Sequence, residues 1–353
     1  MSGGLLYKDK PLFGLDIGFS SIKVMQIVDH GKKQQVVGYG VASYSPKTTK
    51  DGVIEDLEGL AKVTKELFEN GIVGAIDTRR VALTVPVAKT YNRIVTLPVM
   101  NKKDLDSAVQ METSQYVPVP LDELYIDYAI TAQTKENVEL LVVAVPKKII
   151  DSYMTFTRML GLEVVAIETT ISAASRLVAH SEREKSPTIL IDFGSVSVDI
   201  TIYDQQLVVT GTVAGGGDTF TELISKKLDV SPQVAHTVKT KYGLGVSKKQ
   251  KDIQEALDPI LSSLTKEVKK MLRYYDDRAT SKEKINQVIT MGGGANMPGL
   301  SEYITNELRL PARMCDPWNH LDFGKLQPPS ELEKSMYVTA AGLALIVPKE
   351  AWK

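Results

Sequence analysis

Two short acidic segments of this chain repeat one another. Phe13-Gly-Leu-Asp-Ile-Gly-Phe-Ser-Ser-Ile-Lys-Val aligns without gaps with Ile189-Leu-Ile-Asp-Phe-Gly-Ser-Val-Ser-Val-Asp-Ile, which makes Asp16 and Asp192 equivalent. Each aspartate ends an apolar strand and is followed by a glycine, Gly18 or Gly194, and then by a second strand. A hairpin with glycine at its tight turn presents backbone N–H groups to a phosphate without side-chain obstruction. Ser20, Ser21 and Ser195 add hydroxyl donors, Lys23 adds positive charge, and Asp199 completes the second copy. Mg²⁺ commonly binds through one or two carboxylates plus substrate phosphates and keeps several waters. Asp16 and Asp192 are therefore expected to face each other across a cleft, to hold hydrated Mg²⁺ and to orient an attacking water.

Two further glycine runs follow. Gly215-Gly216-Gly217-Asp218 precedes a helical pattern, with Asp218 as its expected N-cap. Glu222 and Lys226 lie four apart on one face of that helix, placed for a base or ribose, although such a pair is also a common solvated contact. Gly292-Gly293-Gly294-Ala-Asn-Met297-Pro-Gly follows a strand and precedes a helix, a backbone bare enough for an adenosine to approach. Singly, each motif reads as an ordinary turn. Their repetition and order favour a nucleotide cleft.

The elements that must position these groups alternate. Strands are predicted at 12–16, 22–29, 36–44 and 81–85, with a helix over 57–68. Asn101 is a good N-cap for an amphipathic helix reaching Tyr116, which Pro118 and Pro120 stop. Strands at 125–131 and 140–145, a helix over 147–160 and a strand at 164–167 complete a predicted α+β insertion. After a helix at 170–180 and a polar linker, strands recur at 188–192, 196–203 and 207–213. A helix follows at 219–228, then a long helix from about Asp258, a strand ending at Thr290, and a closing helix over 336–347. The expected division is 1–89 for the first lobe, 90–166 for the insertion and 167–187 for a connecting helix and linker. The second lobe takes 188–335, and 336–353 returns to the first. The fold class is α/β, a duplicated two-lobed architecture.

Composition narrows the function. The chain has 353 residues, 43% hydrophobic and 24% charged, with 42 basic and 43 acidic residues. A net charge of -1 argues against a protein built to hold a nucleic-acid backbone. The single cysteine, Cys315, forms no internal disulfide, and no Cys/His cluster has zinc spacing. No apolar run reaches the length of a membrane span, and the N-terminus lacks a signal-peptide core. A cytoplasmic protein is expected.

The chain resembles the actin-like ATPases, whose fold is ribonuclease-H-like. Asp16-Ile-Gly-Phe-Ser-Ser-Ile-Lys resembles their first phosphate loop, Thr170-Ile-Ser-Ala-Ala-Ser-Arg the first connecting helix, and Asp192-Phe-Gly-Ser-Val-Ser-Val-Asp the second phosphate loop. Gly292-Gly-Gly-Ala resembles the adenosine motif, and Tyr337-Val-Thr-Ala-Ala-Gly the second connecting helix. Phe19 stands where the first loop more often has a small residue. Within that superfamily, Leu97-Pro-Val-Met, Gln115-Tyr-Val-Pro, Ile126-Asp-Tyr and Gly215-Gly-Gly-Asp-Thr-Phe-Thr resemble the PilM family of type IV pilus assembly proteins. The resemblance implies Mg-ATP binding with slow hydrolysis, and Glu168 and Thr170 are the candidates for positioning the water. It implies peripheral attachment at the inner membrane through the N-terminal tail of a PilN-like protein, held between the first lobe and the insertion. Other inner-membrane and motor components of the pilus, and further copies of the chain, are its implied contacts. An FtsA-like division protein is the alternative. The short sequence after the closing helix leaves no room for the basic amphipathic helix expected there.

Overall fold

Residues 13–43 form three antiparallel strands, β1 (Phe13–Ile17), β2 (Ser21–Asp29) and β3 (Gln34–Ser43). The computed structural model describes residues 10–29, 34–181, 186–278 and 283–347. The sequence His30-Gly-Lys-Lys, which signals a hairpin turn between two strands, lies outside the described residues, as do the N-terminal tail, most of the polar linker and the chain after Val347. β1 is buried along its whole length, as befits a strand covered on both faces. After the pair β4 (Thr49–Lys50) and β5 (Val53–Ile54), helix α1 (Leu57–Asn70) is capped by Asp56, which accepts from the Gly59 N–H. α1 buries Leu60, Ala61, Thr64 and Leu67. β6 (Val73–Gly74) pairs with β3, and β7 (Arg80–Val85) runs parallel to β1.

The insertion builds its own sheet from β8 (Tyr91–Pro98), β9 (Leu124–Gln133) and β10 (Asn137–Pro146), in the order β8-β10-β9. Helix α2 (Lys102–Tyr116), capped by Asn101, covers it around Val95, Leu97, Leu105, Val109, Leu140 and Val142. The sequence reading carried the insertion to residue 166. In the structure α3 (Lys147–Met159) sends Tyr153 and Phe156 into the first-lobe core, and β11 (Glu163–Thr169) lies parallel to β7. Periodicity marks a helix as having a buried face but does not say which core receives it.

Helix α4 (Thr170–Ser181) leads into the second lobe. Its members are β12 (Thr188–Phe193), β13 (Ser197–Tyr203), β14 (Leu207–Ala214), α5 (Gly217–Leu228), α6 (Pro232–Lys241), α7 (Gln250–Arg278), β15 (Gln287–Met291), α8 (Leu300–Leu308) and β16 (Ala312–Met314). The sheet β14-β13-β12-β15-β16 matches β3-β2-β1-β7-β11 in order and in every strand direction. The repeated acidic segments are thus the local trace of a duplicated lobe. β17 (Leu321–Asp322) adds to the free side of β3, and α9 (Val338–Ala344) closes the described chain.

Three boundaries differ from the sequence reading. α7 starts at Gln250 and runs through Pro259, because Ile253 and Leu257 before the proline and Leu261 and Leu264 after it enter one core. α5 starts at Gly217, so Asp218 lies inside its first turn and Gly216 is the cap. The closing segment is a 3₁₀ turn, Lys334–Tyr337, followed by the shorter α9.

The lobes meet on a shared core of Met25 and Tyr39 with Leu190, Ile289 and Met291, packed around α4 and α9. These helices touch through backbone. A Cβ on Gly342 would lie 1.9 Å from the Ala173 carbonyl oxygen, and one on Gly14 would lie 2.2 Å from that of Ala340. Arg176 donates to the Gly342 carbonyl at 3.1 Å.

Candidate nucleotide cleft

In the first hairpin Asp16 stands opposite Lys23 across β1 and β2. The Lys23 ammonium lies 3.1 Å from Asp16 Oδ2, and Thr84 donates to Oδ1 at 3.2 Å, all three being buried. The turn closes with the Gly18 N–H donating to the Ser21 carbonyl, while the Tyr44 hydroxyl donates to the Gly18 carbonyl. Burial, reinforced by Asp16, pushes the Tyr44 phenol well above its ordinary value.

The second hairpin places Asp192 opposite Asp199 across β12 and β13. Burial raises the Asp192 carboxyl from 3.8 to about 7; Asp199 and Asp16 add to the shift, and Lys23 opposes it. Asp199 is raised to about 6 by burial, offset in part by a 2.7 Å hydrogen bond from Thr212. Asp16 and Lys23 of one lobe and Asp192 and Asp199 of the other therefore form one electrostatic cluster. Three carboxylates share one ammonium there. A carboxyl whose pKa is raised chiefly by burial, and further by carboxylate neighbours, marks a place where added positive charge is favourable. Among the described residues no three His, Cys, Asp or Glu side chains converge as a direct ligand set. Such a donor set fits a cation that keeps its waters and its phosphate ligands, as Mg²⁺ does.

The glycine runs close around the second hairpin. The N–H groups of Gly217 and Asp218 donate to the carbonyls of Gly194 and Ser195, each at 2.9 Å. A Cβ on Gly216 would sit 2.3 Å from the Gly194 oxygen, so only glycine allows this contact. These two helix-terminal donors hold the loop itself. Gly292 has φ of 82° and carries Asp192 against its backbone, with Oδ1 2.2 Å from where a Cβ would be. Ser335 exchanges hydrogen bonds with Gly292, and Asn296 donates to Ser335 Oγ at 2.9 Å. The 3₁₀ turn before α9 is thereby tied to the glycine run.

The hairpin serines Ser20, Ser21 and Ser195 are half-buried at the loop tips, and Gly215 joins the second loop by donating to the Val196 carbonyl. Gly294 packs on Phe193, and Gly293 faces Met336. Met297 is buried in the second-lobe core, against Gly243. Glu222 and Lys226 are an exposed ion pair at 2.6 Å. Glu168, a candidate water-positioning residue, is held by Arg176 at two points, and Thr170 Oγ1 accepts from the Val87 N–H.

Several contributors carried no motif. Thr84 and Tyr44 reach the first hairpin from elsewhere in the lobe. Lys239 of α6 is buried and donates to the Gly217 carbonyl at 2.6 Å and to Thr221 Oγ1 at 2.9 Å, behind the second loop. Burial lowers its pKa, with Asp218 opposing. A lysine on the same helical face as Ala235 and Val238 was the available signal.

Residues 14–347 match the family model described as type IV pilus assembly protein PilM. Among solved structures, a PilM–PilN type IV pilus biogenesis complex superposes with a TM-score of 0.82 at 22% identity, covering 96% of this chain and 98% of that one. MreB5 of Spiroplasma citri bound to AMPPNP superposes with a TM-score of 0.56 at 14% identity, covering 95% of each chain. The cell division protein FtsA of Streptococcus pneumoniae is 23% identical over 338 residues, covering 82% of this chain and 72% of that protein. Likeness at these identities establishes the actin-like fold. The family match, spanning almost all of the chain from the first acidic hairpin through the closing helix, shows that this chain belongs to the PilM family of type IV pilus assembly proteins.

Proposed function

We propose that the chain is an ATP-binding scaffold of type IV pilus assembly, held at the inner face of the cytoplasmic membrane by the N-terminal tail of a PilN-like protein. The observation that carries the nucleotide reading is the cluster of Asp16, Lys23, Asp192 and Asp199 assembled from both lobes. Ser20 and Ser21 from one side and Gly194 and Ser195 from the other offer N–H and hydroxyl donors to phosphates, while Gly18, whose N–H closes its own turn, contributes a backbone bare of side chain. Lys23, now neutralised by Asp16, supplies the positive charge. Asp16 and Asp192 would hold Mg²⁺ through water, and Gly292, Gly293 and Gly294 would admit the adenosine. The metal would supply charge neutralisation at the phosphates. With Glu168 committed to Arg176, turnover is slow and the cleft acts mainly by binding. Lobe closure around the nucleotide is the conformational signal.

The partner reading rests on the family and on the PilM–PilN complex this fold resembles. Among the described residues no helix is long and apolar enough to cross a membrane. Other pilus components and self-association belong to the same proposal. Calorimetry with Mg-ATP on the wild type and Asp192→Ala tests the cleft, and equal affinities would remove these carboxylates from the account. A labelled N-terminal peptide of the PilN-like protein tests the partner: saturable binding is expected, and its absence would defeat the pilus-docking reading.

A further inference from the structure

A pocket of about 280 Å³ opens between β8 of the insertion and β14 of the second lobe. Its volume is below that of drug-sized ligand sites and leaves room for a side chain with its flanking peptide. Among the residues lining it the one charged side chain is Arg93, whose guanidinium lies 4.8 Å over the Tyr116 ring. Thr210 adds a hydroxyl, while those of Thr90 and Thr212 already donate to the Val87 carbonyl and to Asp199.

Two buried polar atoms of the lining have no hydrogen-bond partner, Asn92 Oδ1 and the Tyr116 hydroxyl. The Asn92 amide nitrogen is already used, donating to Thr90 Oγ1 at 2.9 Å. Burial raises the Tyr116 pKa and the approach of the Thr113 hydroxyl lowers it in part, but that hydroxyl's proton goes to the Val109 carbonyl at 2.7 Å and the approach falls short of hydrogen-bond geometry. Each orphaned group costs stability, and two in one small pocket are unusual. Both flanking strands are also sheet edges, since β14 pairs only with β13 and β8 only with β10. Among the described residues no backbone hydrogen bond joins the two edges. The gap between them has walls that belong to different parts of the molecule, so widening it to admit a chain would break neither sheet.

We infer that this gap is a docking slot for an extended peptide segment carrying an acidic side chain. Edge strands recruit an extended chain through main-chain hydrogen bonds. A peptide N–H satisfies Asn92 Oδ1, the Tyr116 hydroxyl donates to a peptide carbonyl, and the acidic side chain meets Arg93. The slot takes in Val87 and Ala88 of the first lobe but has β14 of the second lobe as one wall, which distinguishes it from the groove between first lobe and insertion assigned above to the PilN-like tail. Its argument needs neither that partner nor nucleotide.

The probes are the blocked tripeptides acetyl-Ala-Glu-Ala-methylamide and acetyl-Ala-Gln-Ala-methylamide, with free glutamate as the small-acid control, titrated into the full chain and followed by amide NMR. The glutamate tripeptide should shift amides at 90–93, 116 and 210–212 saturably in the millimolar range. The glutamine form should bind about tenfold more weakly, the value of one charge-assisted contact. Arg93→Gln, an exposed change, should bring the two peptides level. Tyr116→Phe should leave thermal stability unchanged or higher, because it deletes an unsatisfied group, while weakening the tripeptide. The inference is overturned by an absence of saturable shifts at these amides, by equal affinity for the two peptides, or by free glutamate binding as well as the tripeptide. A Tyr116→Phe protein that melts lower would overturn it as well, by showing the hydroxyl already satisfied, as a resident water would satisfy it.

Discussion

Asp192→Asn is the sharpest probe of the cleft. The carboxyl moves from 3.8 to about 7 in the folded chain, and the unfolded chain restores the lower value. A folded pKa above the unfolded one means stability that is complete below pH ~4 and is lost as pH rises through ~7. Roughly three pKa units at 1.36 kcal/mol each set an upper bound of ~4 kcal/mol. Asp199 shares the charge from the opposite strand and the residue is only partly enclosed, so about half of that bound, ~2 kcal/mol, is expected. Asparagine keeps the shape and removes the ionisation. Urea or thermal midpoints of nucleotide-free protein, compared between pH 4.5 and pH 8, should show the variant gaining on the wild type by that amount as pH rises. The variant should also lose Mg-ATP affinity. A stability gap that stays flat across this range, or a variant less stable at pH 8, would refute the reasoning, since the other carboxylates are common to both proteins.

A cation brought to Asp192 should expel its proton. Mg-ATP binding at pH 7 should release about half a proton from this group and almost none at pH 9, read as a calorimetric difference between buffers of different ionisation enthalpy. Gly216→Ala drives a methyl group into the Gly194 carbonyl and should cost about 1–3 kcal/mol of stability, with weaker Mg-ATP binding in the same calorimetric assay. Lys239→Met leaves the Gly217 carbonyl without its buried donor and should lower stability by about 1–3 kcal/mol in urea unfolding, although the residue touches no phosphate.

The duplicated hairpins were legible because their chemistry is local: a strand, a carboxylate, a glycine and a second strand occupy twelve contiguous residues. Lys23 belonged to that stretch, and its position opposite Asp16 follows from hairpin register alone. Thr84, Tyr44 and Lys239 were not legible, because each acts through a contact formed only when separate elements pack. Met297 misled for the complementary reason, since it sits within a glycine motif but its side chain fills the core behind it. The start of α7 was missed because Pro259 resembles a first-turn proline, whereas buried residues on both sides carry the helix past it. The return of the chain to the first lobe at α3 rests on tertiary packing that no short window records.

The backbone contacts at Gly14 and Gly342 form a continuous mechanical train. Asp16 lies two residues along β1 from Gly14, whose missing side chain lets the strand rest on α9, and α9 rests in turn on α4 at Ala173. At Gly342 the nearest atoms are all backbone of Ala173, and at Gly14 they are the Ala340 carbonyl, the Leu343 Cβ and the Ala344 nitrogen, which leaves little long, flexible side chain to absorb displacement. The position of the Asp16 carboxylate is thereby tied to the helix pair on which the lobes meet. Were the lobes to move on a bound nucleotide, as proposed above, Asp192 would travel relative to that fixed mark, and enlarging either glycine would shift the mark at a distance from the charges.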